Sequence, residues 1–456
     1  MHLLKPTLLP SLAMALLLAG CGDRATLDES AGQGPNPALP DEVHDWIPTV
    51  KVASVVGWAD GQTPKPATGL AVNAFARDLS HPRWLAVLPN GDVLVAEASA
   101  PPQPGEAKGI RGAVQRWLFK KAGSAVPSAN RITLLRDTDG DGVADVKTTF
   151  LNDLHSPFGM ALVGNTLYVA DTDALLAFPY QPGETAIHAA PVKIVDLPGG
   201  PIDHHWTKNV IASPDGSKLY VTVGSNSNVG ENGMAAEQGR AAIWEVDPKT
   251  HAHRIFAGGL RNPNGMGWAS DGRLWTVVNE RDELGSDLVP DYLTSVEDSD
   301  FFGWPWRYWG SRVDARVKAP APDYVGNTRA PDYALGAHTA SLGLTFATGQ
   351  RLGPGYAEGA FIGQHGSWNR NPPSGYKVVF VPFSAGHPTG AKPTTVLDGF
   401  LVGNKARGRP VGVVIDKPGD LLVADDVGNV VWRVTPAGGQ APTRMAAAVP
   451  QRLAGW

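Results

Sequence analysis

The chain has 456 residues, a net charge of -5, 53 glycines, 39 prolines and one cysteine. The slight acidic excess and the lack of basic runs exclude the electrostatic footprint of a nucleic-acid binder, and one cysteine excludes an intramolecular disulfide. Glycine and proline make about a fifth of the chain and no helical apolar period persists for three turns, so short strands joined by turns are expected.

The first 20 residues carry Lys5, an apolar run from Leu8 to Leu18 broken by Pro10 and Ser11, and Ala19-Gly20 before Cys21. This is a secretory signal, too short to span a bilayer, which takes about twenty apolar residues. LAGC fits the cleavage box of a bacterial lipoprotein, with lipid on Cys21. Acyl burial contributes roughly 0.8 kcal/mol per methylene, so two or more chains would hold the protein to a membrane in the periplasm or at the cell surface. Gly22 supplies no acidic residue after the cysteine, which leaves the choice of membrane open. Residues 22–68 are rich in Pro, Gly, Ala and acidic side chains, and read as a flexible spacer with room for one early strand.

From Gly69 to Trp456 one unit recurs: a small or Pro-containing start, an alternating strand, a turn with Asn, Asp or Gly, and a second strand ending in a polar residue. It appears as PRWLAVLPNGDVLVAEA from Pro82, PFGMALVGNTLYVADTD from Pro157 and KNVIASPDGSKLYVTVGS from Lys208. It returns as PNGMGWASDGRLWTVVNE from Pro263, a looser LGLTFATGQRLGPGYAEGAFIGQHGS from Leu342, and PVGVVIDKPGDLLVADD from Pro410. Asn90-Gly91, Asp215-Gly216 and Asp271-Gly272 suit tight hairpins. Six half-sheets that cannot bury their own faces predict an all-β, six-bladed β-propeller of four-stranded antiparallel sheets. A long insert around residues 286–340 is expected as loops on one face.

Between the first two units, DTDGDGVAD places Asp137, Asp139, Asp141 and Asp145 at calcium-loop positions one, three, five and nine, with Gly142 at the sharp turn and Val143 offering its carbonyl. Thr148 stands where the terminal glutamate of a full loop belongs, so a structural Ca²⁺ site of altered affinity is expected.

The repeat ends carry DHHWTKNVIASPDGSKLYVTVGSNSN from Asp203, GGLRNPNGMGW from Gly258, DFFGWPW from Asp300, HGSWNR from His365 and ARGRPVG from Ala406. In this order they resemble the soluble PQQ-dependent sugar dehydrogenases, most closely the aldose and L-sorbosone dehydrogenase branch. The resemblance covers nearly the whole chain after Gly69. It implies hydride transfer from a sugar or hydrated aldehyde to PQQ on the propeller axis, with Ca²⁺ on the quinone. It also implies a general base at His205, although HHW leaves His204 open. Arg261 and Asn262 would face the quinone oxygens, with Arg261 favouring the charge that develops there. Arg407 and Arg409, placed on one face of an extended segment, and Arg370 would take the carboxylates of PQQ, because arginine binds them bidentately. His155 falls near a PQQ-contacting position. The loop NERDELG from Asn279 would hold the catalytic Ca²⁺ through the carbonyls of Arg281 and Asp282, with Glu283 as a further candidate; soluble glucose dehydrogenases have Gly-Pro there. His338 and Thr339 lie where the family contacts substrate. Trp304, Trp306 and Trp309 either wall a sugar site or cover a blade edge.

The leading reading is thus a PQQ- and Ca²⁺-dependent dehydrogenase for an aldose or sugar-derived aldehyde. It needs an external electron acceptor, a quinone or another redox carrier, since no haem-attachment CxxCH occurs. The alternatives are a Ca²⁺-dependent lactonase, which needs no carboxylate-binding arginines, and a non-enzymatic propeller that binds a glycan or protein, which needs neither His205 nor the Arg261-Asn262 pair.

Overall fold

A computed structural model of the chain describes residues 22–44, 49–102 and 109–438, so the signal segment and Cys21 lie outside the described residues. Each of the six repeats is the inner strand pair of one four-stranded antiparallel blade. Blade one is Pro82–Val87, Val93–Glu97, Arg131–Arg136 and Val146–Leu151. Blade two is Met160–Val163, Thr166–Ala170, Ala174–Pro179 and Val192–Asp196. Val210–Ala212, Leu219–Val223, Ala242–Val246 and His253–Gly258 form blade three. Pro263–Trp268, Leu274–Val278, Pro290–Val296 and Tyr333–Ala337 form blade four. Blade five is Ser341–Phe346, Gly359–Gln364, Lys377–Ser384 and Thr394–Asp398.

Blade six closes the ring from both ends of the fold. Pro410–Ile415, Leu421–Asp425 and Val430–Pro436 take Leu70–Ala76 as their outer strand, with Val431 opposite Ala76 and Pro436 opposite Leu70.

The second strands are buried along their length, and the blades pack face to face through them. Leu94, Ile132 and Leu134 of blade one share a cluster with Phe158, Leu167 and Val169 of the second repeat. Trp275 and Trp432 anchor the corresponding cores of blades four and six. Each such side chain contributes roughly 1.5–3 kcal/mol on burial. The glycine that recurs near the start of the repeat has a matching cause. A Cβ on Gly265 would collide with the backbone of Leu344, one on Gly343 with the carbonyl of Val411, and one on Gly412 with the backbone of Arg83 and Trp84. The innermost strands converge on the axis so closely that only glycine fits.

Two expectations need correction. Residues 22–68 are not a free spacer over their described part. Gln33–Gly34 adds to the outer strand of blade four, and Lys65–Pro66 adds to that of blade five. Ser54–Val55 pairs in parallel with Lys405–Ala406, and Val52 and Ala53 are fully buried. This segment caps exposed blade edges through its backbone, so it carries none of the side-chain periodicity that marks a strand. The second correction concerns residues 286–340, which contain two strands of blade four as well as loops. A helix at Gly109–Ala122 also interrupts blade one.

Candidate active site

Because each repeat is a hairpin, the leading ends of the innermost strands and the trailing ends of the second strands share one end of the ring. His81, His205, Arg261, Asn262, His338, Arg409 and Asp426 all come from these positions.

The DHHW segment is held rigidly. Buried Asp203 accepts from Arg240 Nη1 at 2.6 Å and from Thr172 Oγ1 at 3.1 Å, while buried Lys208 donates to the carbonyls of His205 and Trp206 at 3.3 and 3.1 Å. His205 is buried, and its Nδ1 lies 2.9 Å from the Ser225 carbonyl and 3.0 Å from Ser225 Oγ. That hydroxyl spends its own proton on the Ser227 carbonyl at 2.7 Å, so both neighbours of Nδ1 accept. Nδ1 therefore carries the hydrogen and Nε2 the lone pair. Burial and the Arg261 cation hold the imidazole well below its ordinary pKa, which keeps it neutral. His204 is exposed, its ring edge-on to that of His205 at 4.7 Å. The surrounding protein and the Arg261 cation lower the His204 pKa as well, although the residue reaches solvent, so the two differ in that only His205 is fixed in one tautomer by hydrogen bonds.

A side chain at Gly224 would collide with both His205 and Asn262, so this glycine lets them approach each other. Asn262 Oδ1 is buried with no hydrogen-bond partner among the described residues. The Arg261 guanidinium is committed to protein: Nη1 donates to the Glu280 carbonyl at 2.7 Å, and Nη2 to Asn228 Oδ1 at 2.9 Å and Asp282 Oδ2 at 3.4 Å. It acts on its surroundings as a fixed charge.

In the loop after the second strand of blade four, one of the two expected calcium carbonyls is already hydrogen-bonded. The Asp282 carbonyl accepts from Arg316 Nη1 at 2.8 Å and from Asn228 Nδ2 at 3.3 Å. A carbonyl already bound to a cation is a poor metal ligand. Arg281 turns its buried side chain away, to Glu280, Asp314 and the carbonyls of Pro305 and Arg307. Glu283 lies 3.9 Å from Arg316. What the loop presents instead is the Asp282 carboxylate, between Arg261 and His338 Nδ1 at 3.1 Å. Burial would raise this carboxyl, but His338 and Arg261 outweigh it and hold it well below the usual range. His338 Nε2 meets the Gly285 carbonyl at 2.9 Å, so both ring nitrogens face acceptors and the imidazolium is favoured. Thr339 is buried on Asp291 and Ser341. The polar side-chain atoms of both His338 and Thr339, expected at substrate-contacting positions, are taken up by protein groups.

Arg409 is the most unusual group. It is fully buried, its guanidinium lies 4.9 Å over the Tyr376 ring and 5.8 Å over Trp368, and among the described residues no carboxylate or carbonyl accepts from its three side-chain nitrogens, with the Tyr376 phenol as a polar neighbour. Arg370, also buried, donates to the Pro372 carbonyl at 3.0 Å and reaches Asp287 at 3.4 Å, leaving Nε without a partner. Arg407 is only half-buried, so the two arginines of ARGR differ in environment. His155 is exposed at the rim, with Nδ1 2.9 Å from Asp173; no described contact joins it to the axial groups.

A second axial cluster escaped the sequence reading. Asp426 accepts from Arg83 Nη1 at 2.6 Å and His365 Nε2 at 2.8 Å, with His81 Nε2 at 3.4 Å. Burial lowers His81 to about 4. Asp426 Oδ1 and Arg83 Nε lack hydrogen-bond partners among the described residues. The signal was available, since His81, His365 and Asp426 occupy the same repeat-end positions as the residues that were singled out.

In the DTDGDG loop, oxygens of Asp137, Asp139 and Asp145 lie within 4.8 Å of one another. Asp141 does not join them; its carboxylate accepts the Val143 N–H at 2.8 Å. Val143 itself is exposed. Of the insert tryptophans, Trp304 and Trp306 line a cavity with Arg240, Phe256 and Phe301, their N–H groups donating to the carbonyls of Asn228 and Ala319, while Trp309 packs on Tyr292.

The TrAA12-like family profile matches residues 127–293 and 323–437. An uncharacterized protein of Borreliella burgdorferi is 29% identical over 299 residues, covering 63% of this chain and 77% of that protein. The pyrroloquinoline quinone-dependent pyranose dehydrogenase of Coprinopsis cinerea is 28% identical over 297 residues, which are 50% of this chain and 39% of the fungal protein. The holo form of its PQQ domain superposes with a TM-score of 0.64 at 21% identity, covering 84% of this chain and 100% of that one. The calcium structure of the Trichoderma reesei family AA12 enzyme gives 0.66 at 19% identity, over 82% and 97% of the two chains. With more than half its length in the family match, the chain belongs to the TrAA12-like family of PQQ-dependent sugar dehydrogenase propellers.

Proposed function

We propose that this protein is a PQQ- and Ca²⁺-dependent dehydrogenase that oxidises an aldose or a sugar-derived, sorbosone-like aldehyde hydrate. The observation that carries the reading is Arg409: a buried guanidinium that no carboxylate or carbonyl of the described residues hydrogen-bonds calls for an anion with planar acceptors. The carboxylates of PQQ fit that demand, with Arg370 and Arg407 as further candidates. Bound PQQ would supply the two-electron acceptor for hydride, and Ca²⁺ the Lewis acid on its quinone. His205 Nε2 removes the hydroxyl proton from the carbon that loses hydride, a contribution of roughly 10² to 10⁴ in rate. Ser225 fixes the tautomer, and burial together with the Arg261 cation keeps the ring neutral and ready to accept. Asn262 Oδ1 is an acceptor in want of a donor at the same place.

The rest of the reading comes from sequence. DTDGDG is proposed as a separate structural Ca²⁺ loop, His155 as a rim contact, and Cys21 as the lipid attachment of an exported protein that passes electrons to an outside acceptor. A lactonase would need no carboxylate-binding arginine and leaves the buried Arg409 guanidinium without a role. To test the reading, PQQ and Ca²⁺ are added to purified apo-protein, and dye reduction is followed over aldoses, ketoaldehydes and hydrated aldehydes. Sugar-dependent reduction is expected; no PQQ binding and no reduction across the panel would refute it.

A further inference from the structure

The surroundings of Arg409 are held by a part of the chain that lies outside the propeller repeats. Lys51 N–H donates to the carbonyl of Trp368, whose ring lies over the Arg409 guanidinium, at 2.7 Å. Ser54 and Val56 N–H donate to the carbonyls of Asn404 and Ala406, at 3.1 and 2.8 Å, on the segment that leads into Arg409. Trp58 then reaches Asp425 with its indole N–H, at 2.7 Å to Oδ2.

Asp425 is the buried hub of that segment. Its Oδ1 accepts the backbone N–H of Arg409 at 2.8 Å and that of Gly428 at 2.9 Å, and its Oδ2 also accepts Trp432 Nε1 at 3.1 Å. A Cβ on Gly408 would collide with this carboxylate, so the backbone at 408–409 is bent directly around Asp425. Where the carboxylate sits therefore decides where the Arg409 backbone sits. Of its two side-chain donors, one belongs to blade six and the other to a residue 367 positions away in sequence. The Trp58 ring is itself packed edge-on against Phe400 and Trp432, at 5.6 and 5.3 Å, which fixes the direction of its N–H.

We infer that residues 51–58 are a strap that builds the anion pocket, with Trp58 as a positioning residue that sets Arg409 through Asp425. The inference rests on the proposed function, because the anion it concerns is the cofactor. The strap holds both the ring that covers the guanidinium and the backbone that carries it.

The test uses the full exported chain, apo, titrated with PQQ at fixed Ca²⁺. Trp58→Phe keeps the ring and deletes the donor; the Kd for PQQ should rise about tenfold, while the sugar KM at saturating PQQ stays unchanged. In an Arg409→Ala background the same substitution should change the Kd less than twofold, because the path to the cofactor is already cut. Lys51→Pro, which removes the other end of the strap without touching a buried side chain, should weaken PQQ as well. A Trp58→Phe protein that binds PQQ as wild type does, or one whose loss is the same with and without Arg409, would overturn the inference and leave the proposed function standing. A wild-type chain that binds no PQQ would overturn both.

Discussion

Replacing Arg409 with methionine should make the cofactor-free protein more stable and the cofactor-binding protein useless. Each buried donor without a partner costs about 1–3 kcal/mol, and the faces of Tyr376 and Trp368 return roughly 2 kcal/mol through cation–π attraction. Methionine fills most of the same volume without the polar nitrogens. A net gain of roughly 2 kcal/mol follows, or about 2–4 °C in the Tm of the apo-protein. Binding moves the other way. A bidentate pair of charge-assisted hydrogen bonds contributes about 3–6 kcal/mol, so the Kd for PQQ should rise by roughly 10² to 10⁴. Differential scanning calorimetry on the apo-protein and a PQQ titration read the two effects separately. A variant that melts lower than wild type and still binds PQQ would refute the reasoning, because the guanidinium would then be a satisfied structural group.

Three further outcomes are expected. His205→Asn should retain PQQ but lose roughly 10² to 10⁴ in turnover; in the wild type, kcat/KM should be flat through neutral pH and fall only well below 6.5, where the depressed imidazole protonates, so an acidic limb at 6.5 or above would count against it. Asp171 is buried and its carboxyl is raised to about 7. Its ionisation therefore disfavours the fold, with a penalty absent below about pH 4 and complete above about pH 7, so Asp171→Asn should raise the Tm at pH 8 and leave it unchanged at pH 4. Chelating Ca²⁺ from the PQQ-free protein should lower the Tm of the wild type, by about 2.7 kcal/mol of stability if the ion was at a hundredfold its Kd; Asp137→Asn should melt lower and stop responding to the ion.

The blades were legible because the inner hairpins alternate and three of them turn at Asn-Gly or Asp-Gly, a signal that lives in side chains. The outer strands were less visible, and the strand Leu70–Ala76 gave no hint of joining the last blade because that pairing spans the whole fold. His205, Arg261 and Asn262 were legible from LRNP and DHHW. His81, His365 and Asp426 carried the same repeat-end signal, but that they and Arg83 form one cluster was not legible, since they come from three blades and meet only when the ring closes. That the Asp282 carbonyl is already hydrogen-bonded was not legible either, because its donor, Arg316, is distant and local sequence does not show it.

The seam in blade six also sets the order in which the molecule can be finished. Leu70–Ala76 leaves the ribosome early, yet its partner Val430–Pro436 comes last, so the early strand is an unpaired edge for nearly the whole of synthesis. The DTDGDG loop of blade one lies against both sides of that seam: Ala144 N–H meets the Phe75 carbonyl at 2.8 Å, Asn73 Nδ2 meets the Gly142 carbonyl at 2.9 Å, and Asp137 lies 3.7 Å from Arg433. Blade one can thus hold the early strand in place before blade six exists, and lock the late one when it arrives. A calcium ion in that loop would act on the yield of closed rings as well as on their melting, and refolding at low calcium should accumulate compact chains with an open, protease-sensitive Leu70–Ala76.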